Sequence, residues 1–422
     1  MLGANVWRKV LGVDRATVIE SVEVDRESET VVAHVRPRRA TKRRCGRCGR
    51  RAPGYDRGEG RRNWRTLDLG TLMCYLQADS ARVNCPEHGP TVAQVPWARH
   101  GAGHTYAFDD TVAWLVTHTA KSTLVELMRI AWRTVGAIVD RVVADGRAAH
   151  DPFDGLRRIG IDEISYKKGH RYLLVVVDHD SGRLVWAAVG ATKVNLRAFF
   201  DLVGDERAKL IKLVSADAAE WIADVVAERA ENATLCIDGF HTVAWATAAL
   251  DDVRREVWNE ARRSGMTGYA KELKGARYAL WKNPENLTEH QERRLNWIAA
   301  VNQKLYRAYL LKEQLREIIN RKGRRALTML DEWLTWAARC RIPAFVELGR
   351  KIRRNRAGIE AALRHDLSNA LVESTNTKLR VLHRMAFGFK KPEHLIALAL
   401  LDRGGYCPPL PGRSAPALAA LG

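Results

Sequence analysis

"RRIGIDEISYKKGHRYLLVVVDHDSGRLVWAAVG", residues 157–190, holds three apolar runs separated by turn residues. Lys168-Gly169-His170 follows the first run and Asp180-Ser181-Gly182 the second, the pattern of a three-stranded antiparallel meander. The first strand carries an anomaly. Asp162 and Glu163 come directly after Ile159-Gly160-Ile161, where a buried strand prefers another Val or Ile. A carboxylate in the middle of a sheet needs a compensating partner.

Further along, "NLRAFFDLVGDERAKL" (195–210) reads as a helix and "IKLVSAD" (211–217) as a strand with Asp217 at its C-terminal end. "ATLCIDGFH" (233–241) is another strand, ending in Asp238-Gly239-Phe240-His241. The order is β-β-β-α-β-α-β. In the ribonuclease H architecture the first and fourth strands are neighbours, which would set Asp162 beside Asp217 although they lie 55 positions apart. Two like charges that close are unfavourable unless a cation sits between them. Oxygen-only ligands select a hard, octahedral ion, Mg²⁺ or Mn²⁺. A metal pair is therefore the expected reason for a buried acid on this strand.

Two-metal phosphoryl transfer generally needs a third carboxylate. The candidate is Glu373 in "LSNALVESTNTKLRVLHRM", a helical stretch with Leu371, Leu379 and Leu382 on its apolar face. Small polar residues beside it leave room for a backbone to approach, and Lys378, Arg380 and Arg384 follow within reach of phosphates. The alternative is an exposed glutamate on an ordinary helix. Glu347 and Glu360 are rivals, in "FVELGRKIRRNRAGIEAAL", where solvent-facing acids balancing Arg are the expected pattern.

The rest of the 422-residue chain frames these acids. Lys and Arg number 69 against 49 Asp and Glu, a net charge of +20, which favours an acidic polymer as partner, nucleic acid first. The charge is concentrated in "RPRRATKRRCGRCGRR" (36–51) and "RKIRRNRAG" (350–358). No apolar run approaches the roughly 20 residues of a membrane span, and "MLGANVWRKVLGVD" has no apolar signal core, so a cytoplasmic, nucleoid-associated protein without membrane contact is expected. Seven cysteines, an odd count, argue against a disulfide framework.

Four of the basic region's residues have metal spacing: Cys45-x-x-Cys48 and Cys85-x-x-His88, each pair followed by glycine. Two such knuckles bring four soft ligands into a closed tetrahedral site suited to structural Zn²⁺, and "NWRTLDLG" and "MCYLQADSARVNC" would be the ribbon it clips. Cys74 reads as a buried small side chain. Residues 108–146 show apolar positions at helical spacing in three short helices, with Ser122 a candidate N-cap, the shape of a helix-turn-helix unit. From Trp245 to Gly358 helical periodicity prevails with little strand pattern. Trp258, Trp281, Trp297, Trp333 and Trp336 there read mainly as helix packing, with stacking on a flipped base as the alternative.

The ordered motifs "IGIDE…KGHRYLLVVVD", "VSAD", "IDGFH…ALDDVRREVWNEAR" and "VESTNTKLRVLHRMAFGF" resemble the acidic-triad transposases of bacterial insertion sequences, specifically the ISL3 family. The resemblance covers most of the chain. It implies a multi-domain α/β protein: a ribonuclease H-like mixed sheet interrupted by an all-helical insertion and preceded by a zinc ribbon and a helix-turn-helix. It implies that Asp162, Asp217 and Glu373 are the metal-binding triad and that Asp238 and His241 form an Asp-x-x-His element. Family members often carry Cys-x-x-Cys as the second zinc pair; this chain has Cys85-x-x-His88.

The expected organisation is a zinc ribbon in 1–100, a helix-turn-helix in 101–150, the core in 151–245, the helical insertion in 246–360, the glutamate-bearing final helices in 361–405 and a tail in 406–422. The expected activity is DNA transposition. The protein would bind the element's ends, cleave the backbone by Mg²⁺- or Mn²⁺-dependent phosphoryl transfer and join the 3′ ends to target DNA, as a homodimer or larger assembly on double-stranded DNA. A zinc-containing DNA-binding regulator with an inactive core, or a structure-specific nuclease of the same fold, are the alternatives.

Overall fold

Alternating apolar residues in the first hundred positions build more sheet than a ribbon needs. In the computed structural model, which describes residues 4–321 and 323–413, α1 (Ala4–Val10) leads into a hairpin of β1 (Thr17–Asp25) and β2 (Thr30–Pro37). Next come β3 (Gly54–Asp56), β4 (Arg61–Leu69), β5 (Leu72–Asp79), β6 (Arg82–Cys85) and β7 (Gly89–Val92). They form two sheets, β1-β2-β5-β4 and β3-β6-β7. The expected ribbon is corrected accordingly. "NWRTLDLG" and "MCYLQAD" pair with the N-terminal hairpin through a parallel β2–β5 ladder, and only the short β3-β6-β7 sheet belongs to the metal clip. Ala33, Val35, Trp64, Leu76 and Ala78 bury the larger sheet against Trp97 and Ala98. Cys74 is buried in β5, as expected.

Three helices follow: α2 (Tyr106–His118), α3 (Lys121–Met128) and α4 (Trp132–Ala149). The Thr105 hydroxyl accepts the Phe108 N–H and caps α2. Ser122 does not cap α3, because that helix starts at Lys121 and Ser122 already lies inside its first turn. The three-residue link to α4 turns at Arg129, in the left-handed region at φ 52°. Val112, Leu124, Val135, Ile138, Val139 and Val142 are buried, whereas Leu127 is exposed.

Phe153–Lys378 forms a second compact unit, distinct from the first, which comprises the described residues before 153 and after 378. It opens with the meander β8 (Arg158–Lys167), β9 (Arg171–Asp178) and β10 (Leu184–Val189). The stretch read as one helix over 195–210 is α5 (Lys193–Val203) and α6 (Asp205–Ala208), broken at Gly204, whose φ of 82° only glycine adopts readily. β11 (Leu213–Ala216), α7 (Glu220–Arg229) and β12 (Thr234–Ile237) complete a five-stranded sheet of order β10-β9-β8-β11-β12. The meander is antiparallel, and β11 and β12 run parallel to β8, so the first and fourth strands are neighbours. Ile159, Ile161, Val214 and Ala216 point to one face and pack with Phe199, Phe200, Ile222 and Val225 of α5 and α7.

The chain then becomes helical: α8 (Gly239–Arg263), α9 (Thr267–Gly275), α10 (Arg277–Trp281), α11 (Glu289–Val301), α12 (Gln303–Asn320), α13 (Arg324–Arg339), α14 (Pro343–Arg354), α15 (Arg356–His365) and α16 (Ala370–Met385). Between 246 and 360 no strand occurs among the described residues. Trp333 is fully buried with its Nε1 donating to the Leu311 carbonyl at 2.8 Å, and Trp258, Trp281, Trp297 and Trp336 pack around the same core. The tryptophans thus follow the packing reading. Glu347 pairs with Arg350 and Arg354, and Glu360 with Arg356 and Arg364, the balancing role expected of them. In the first unit, α17 (Pro392–Arg403) packs on α4 and α2. Of the tail expected over 406–422, residues 414–422 lie outside the described residues. No described helix is long and apolar enough to cross a membrane.

Candidate active site and metal centre

The site follows from strand register. In the β8–β11 ladder Leu213 stands opposite Arg158, Val214 opposite Ile159 and Ser215 opposite Gly160. Two further steps along that register bring Asp217, one residue beyond β11, level with Asp162. In the β11–β12 ladder Ala216 stands opposite Ile237, so the next step pairs Asp217 with Asp238. The Asp238 N–H continues this ladder, donating to the Ala216 carbonyl at 2.9 Å. Three aspartates therefore form one row across three parallel strands, and in-register neighbours present their side chains to the same face.

That face is covered by α15 and α16. A Cβ on Gly160 would run into Val372 of α16, so glycine there permits the helix to lie close. Cys236 packs with Ala361 and Leu367. The Ser215 hydroxyl donates to Asn369 Oδ1 and is itself 2.7 Å from His179 Nε2. The Asn369 N–H donates to Asp238 Oδ1 at 3.3 Å, and Asn376 Nδ2 donates to Asp162 Oδ2 at 2.8 Å.

Burial pushes the Asp162 carboxyl above its ordinary range. The Glu163 N–H and His241 oppose that shift, while Asp217 and Asp238 add to it. Burial likewise raises Glu163, with Asp217 and Asp162 adding to it. His241 lies in the first turn of α8, and Asp238, the residue before that helix, is almost fully buried. Glu373 is placed differently. It is exposed in the first turn of α16, and its carboxylate has no hydrogen-bond or ion-pair partner among the described residues. Asp162, Asp217 and Asp238 thus share one face of the sheet with His241 nearby, and Glu373 sits on the helix that covers it. Among the described residues, no three carboxylates or imidazoles of this unit come within 4.8 Å of one another.

In the first unit, one ligand atom each from Cys45, Cys48, Cys85 and His88 lie within 4.8 Å of one another. Cys48 Sγ and Cys85 Sγ are 3.7 Å apart, and His88 Nδ1 is 3.7 Å from Cys85 Sγ and 3.8 Å from Cys45 Sγ. A tetrahedron with Zn–S bonds near 2.3 Å has edges of about 3.8 Å, so the donor set fits Zn²⁺ in both chemistry and spacing. Gly49 and Gly89, both at positive φ, turn the backbone after each pair, and the Arg47 N–H points at Cys45 Sγ at 3.4 Å. The neighbouring His88 imidazole holds the Cys85 thiol below its usual range, favouring the thiolate that a metal requires.

Three family models match these parts in turn. One described as zinc-finger of transposase IS204/IS1001/IS1096/IS1165 matches residues 41–88. One described as helix-turn-helix domain of transposase family ISL3 matches 93–143, and an ISL3 model described as transposase matches 159–399. The Mycobacterium tuberculosis transposase for insertion sequence element IS1557 is 58% identical over 98% of each chain. The chain belongs to the ISL3 family of transposases. The Bordetella parapertussis transposase for insertion sequence element IS1001 is 25% identical over 83% of this chain and 86% of its own. As an insertion-sequence transposase with a helix-turn-helix domain, the protein acts in DNA transposition and binds DNA.

The sequence reading missed four residues of this transposase's acidic site: His179, Ser215, Asn369 and Asn376. One signal was available. Asn369, Glu373 and Asn376 recur at i, i+4 and i+7, which puts all three on one helical face.

Proposed function

We propose that the Phe153–Lys378 unit is a ribonuclease H-like catalytic core that cleaves the DNA backbone at the ends of the insertion sequence and joins the resulting 3′ ends to target DNA. The register row of Asp162, Asp217 and Asp238 beneath the Glu373 helix carries this reading. Asp162, Asp217 and Glu373 are the residues that would hold two Mg²⁺ or Mn²⁺ ions, and the all-oxygen donor set fits those ions. When bound, such a pair supplies charge stabilisation for the attacking and leaving oxygens of an in-line displacement. The chain's own groups prepare the site. His241 offsets the negative charge on Asp162, and Asp238 anchors the start of α16 through the Asn369 N–H. The zinc-clipped ribbon and the helices α2–α4 are assigned to end recognition, and the pairing of two ends calls for a dimer or larger assembly.

The test is cleavage and joining of a labelled end duplex by the full chain in Mg²⁺ or Mn²⁺. Asp162→Asn, Asp217→Asn and Glu373→Gln are expected to abolish both steps while end binding persists. Loss of several kcal/mol of transition-state stabilisation corresponds to at least about a thousandfold in rate. Cleavage by Glu373→Gln at the parent rate removes that residue from the triad. Cleavage without joining marks a nuclease, and end binding without either step marks a regulator.

A further inference from the structure

We propose that Asn376 is a positioning residue that sets the divalent-metal affinity of the acidic row by locking the orientation of Asp162; the inference rests on the catalytic reading above. Asp162 Oδ1 accepts the Glu163 N–H at 2.7 Å and Oδ2 accepts Asn376 Nδ2 at 2.8 Å. One donor on each oxygen fixes the carboxylate plane and leaves each oxygen a free lone pair for a cation. The amide does this without charge. A lysine in its place would neutralise Asp162 and compete with the ion.

Burial argues for the same role. Asn376 is only 2% exposed, and its Oδ1 has no hydrogen-bond partner among the described residues, a costly arrangement for an amide. An apolar side chain would pack under α16 without that cost, so stability alone does not account for the asparagine. Two turns earlier Asn369, 1% exposed, bonds to Ser215 and to Asp238. The two asparagines, one just before α16 and one inside it, tie the helix to the sheet on either side of Glu373, which is exposed between them. Groups that orient a metal-binding carboxylate typically govern affinity by about 10- to 100-fold.

Mn²⁺ binding to the full, zinc-loaded chain, read from the paramagnetic resonance signal of free Mn²⁺, tests this without activity. Asn376→Ala is expected to bind Mn²⁺ at least about tenfold more weakly, with zinc content unchanged, and to need correspondingly more Mg²⁺ for half-maximal cleavage. Asn376→Asp keeps the shape but removes the N–H donor and adds a like charge, so it is also expected to weaken binding. Parent-like affinity in folded Asn376→Ala overturns the inference. Equal or tighter binding by Asn376→Asp overturns it too, because the residue would then act as a ligand. Asp162→Asn separates the two layers. If it binds Mn²⁺ as the parent does, the catalytic reading of the row fails; if it loses Mn²⁺ while Asn376→Ala keeps it, only the positioning role fails.

Discussion

Asp162 shows what a single side chain contributes and what it costs. Its carboxyl is raised by burial and by two neighbouring aspartates, so without a divalent cation the ionised form destabilises the folded chain. The sign follows: stability tied to the protonated acid is present below the unfolded pKa, about 3.9, and is lost as pH rises through the higher folded value. Asp162→Asn should therefore raise the melting temperature in Mg²⁺-free, zinc-retaining buffer at pH 8, and the gain should shrink toward pH 4. A variant melting at or below the parent at pH 8 would contradict this. The acid itself was legible in the sequence, since a carboxylate between Ile161 and Ile164 breaks a buried strand. Its amide partner was not, because Asn376 lies 214 positions away and only the folded register brings it over Asp162.

Among the elements, α16 lies close over β8 at Gly160. Gly160 has no Cβ, and one added there would meet Val372 and approach His179 Nε2 to 2.8 Å. Gly160→Ala should destabilise the protein by about 1–3 kcal/mol, measurable by denaturant unfolding, and should slow cleavage by lifting the Glu373 helix. Unchanged stability would mean that the helix yields freely. The zinc knuckles make a separate prediction. Cys48→Ser should lower metal content by about one zinc per chain, as read by elemental analysis; full zinc in a Cys45→Ser/Cys48→Ser double variant refutes the ligand set. Period-two runs and turn residues made the meander readable and helical periodicity the insertion, while the neighbouring first and fourth strands were expected from the ribonuclease H architecture. The larger N-terminal sheet escaped, although "TVVAHVRP" alternates, because the parallel partner of β2, β5, enters only after the first knuckle. Local pattern cannot register a pairing that distant.

For the whole molecule, charge is the governing quantity. A net +20 concentrated in arginine-rich blocks should make binding of an end duplex fall at least about a thousandfold between roughly 50 and 200 mM salt, by counterion release. A shallow slope, or equal affinity for end and random duplex across that range, would count against end recognition. Each part carries its own local signature in the sequence: paired metal ligands, three short amphipathic helices, a meander, a long helical tract. The groups that complete the acidic site were less legible. Ser215 and Asn369 are 154 positions apart, with the entire helical excursion between them.

That separation also orders events in time. During synthesis the sheet and its aspartate row leave the ribosome well before α16, and domains generally fold as they emerge. A chain interrupted before Asn369 keeps Asp162, Asp217 and Asp238 but lacks the helix bearing Glu373 and both clamps. On the proposed chemistry, abortive translation products and clipped fragments carry acids that grip no metal firmly and cut nothing. On that same proposal, mutagenic breakage of the cell's DNA is confined to polypeptides read through past residue 376.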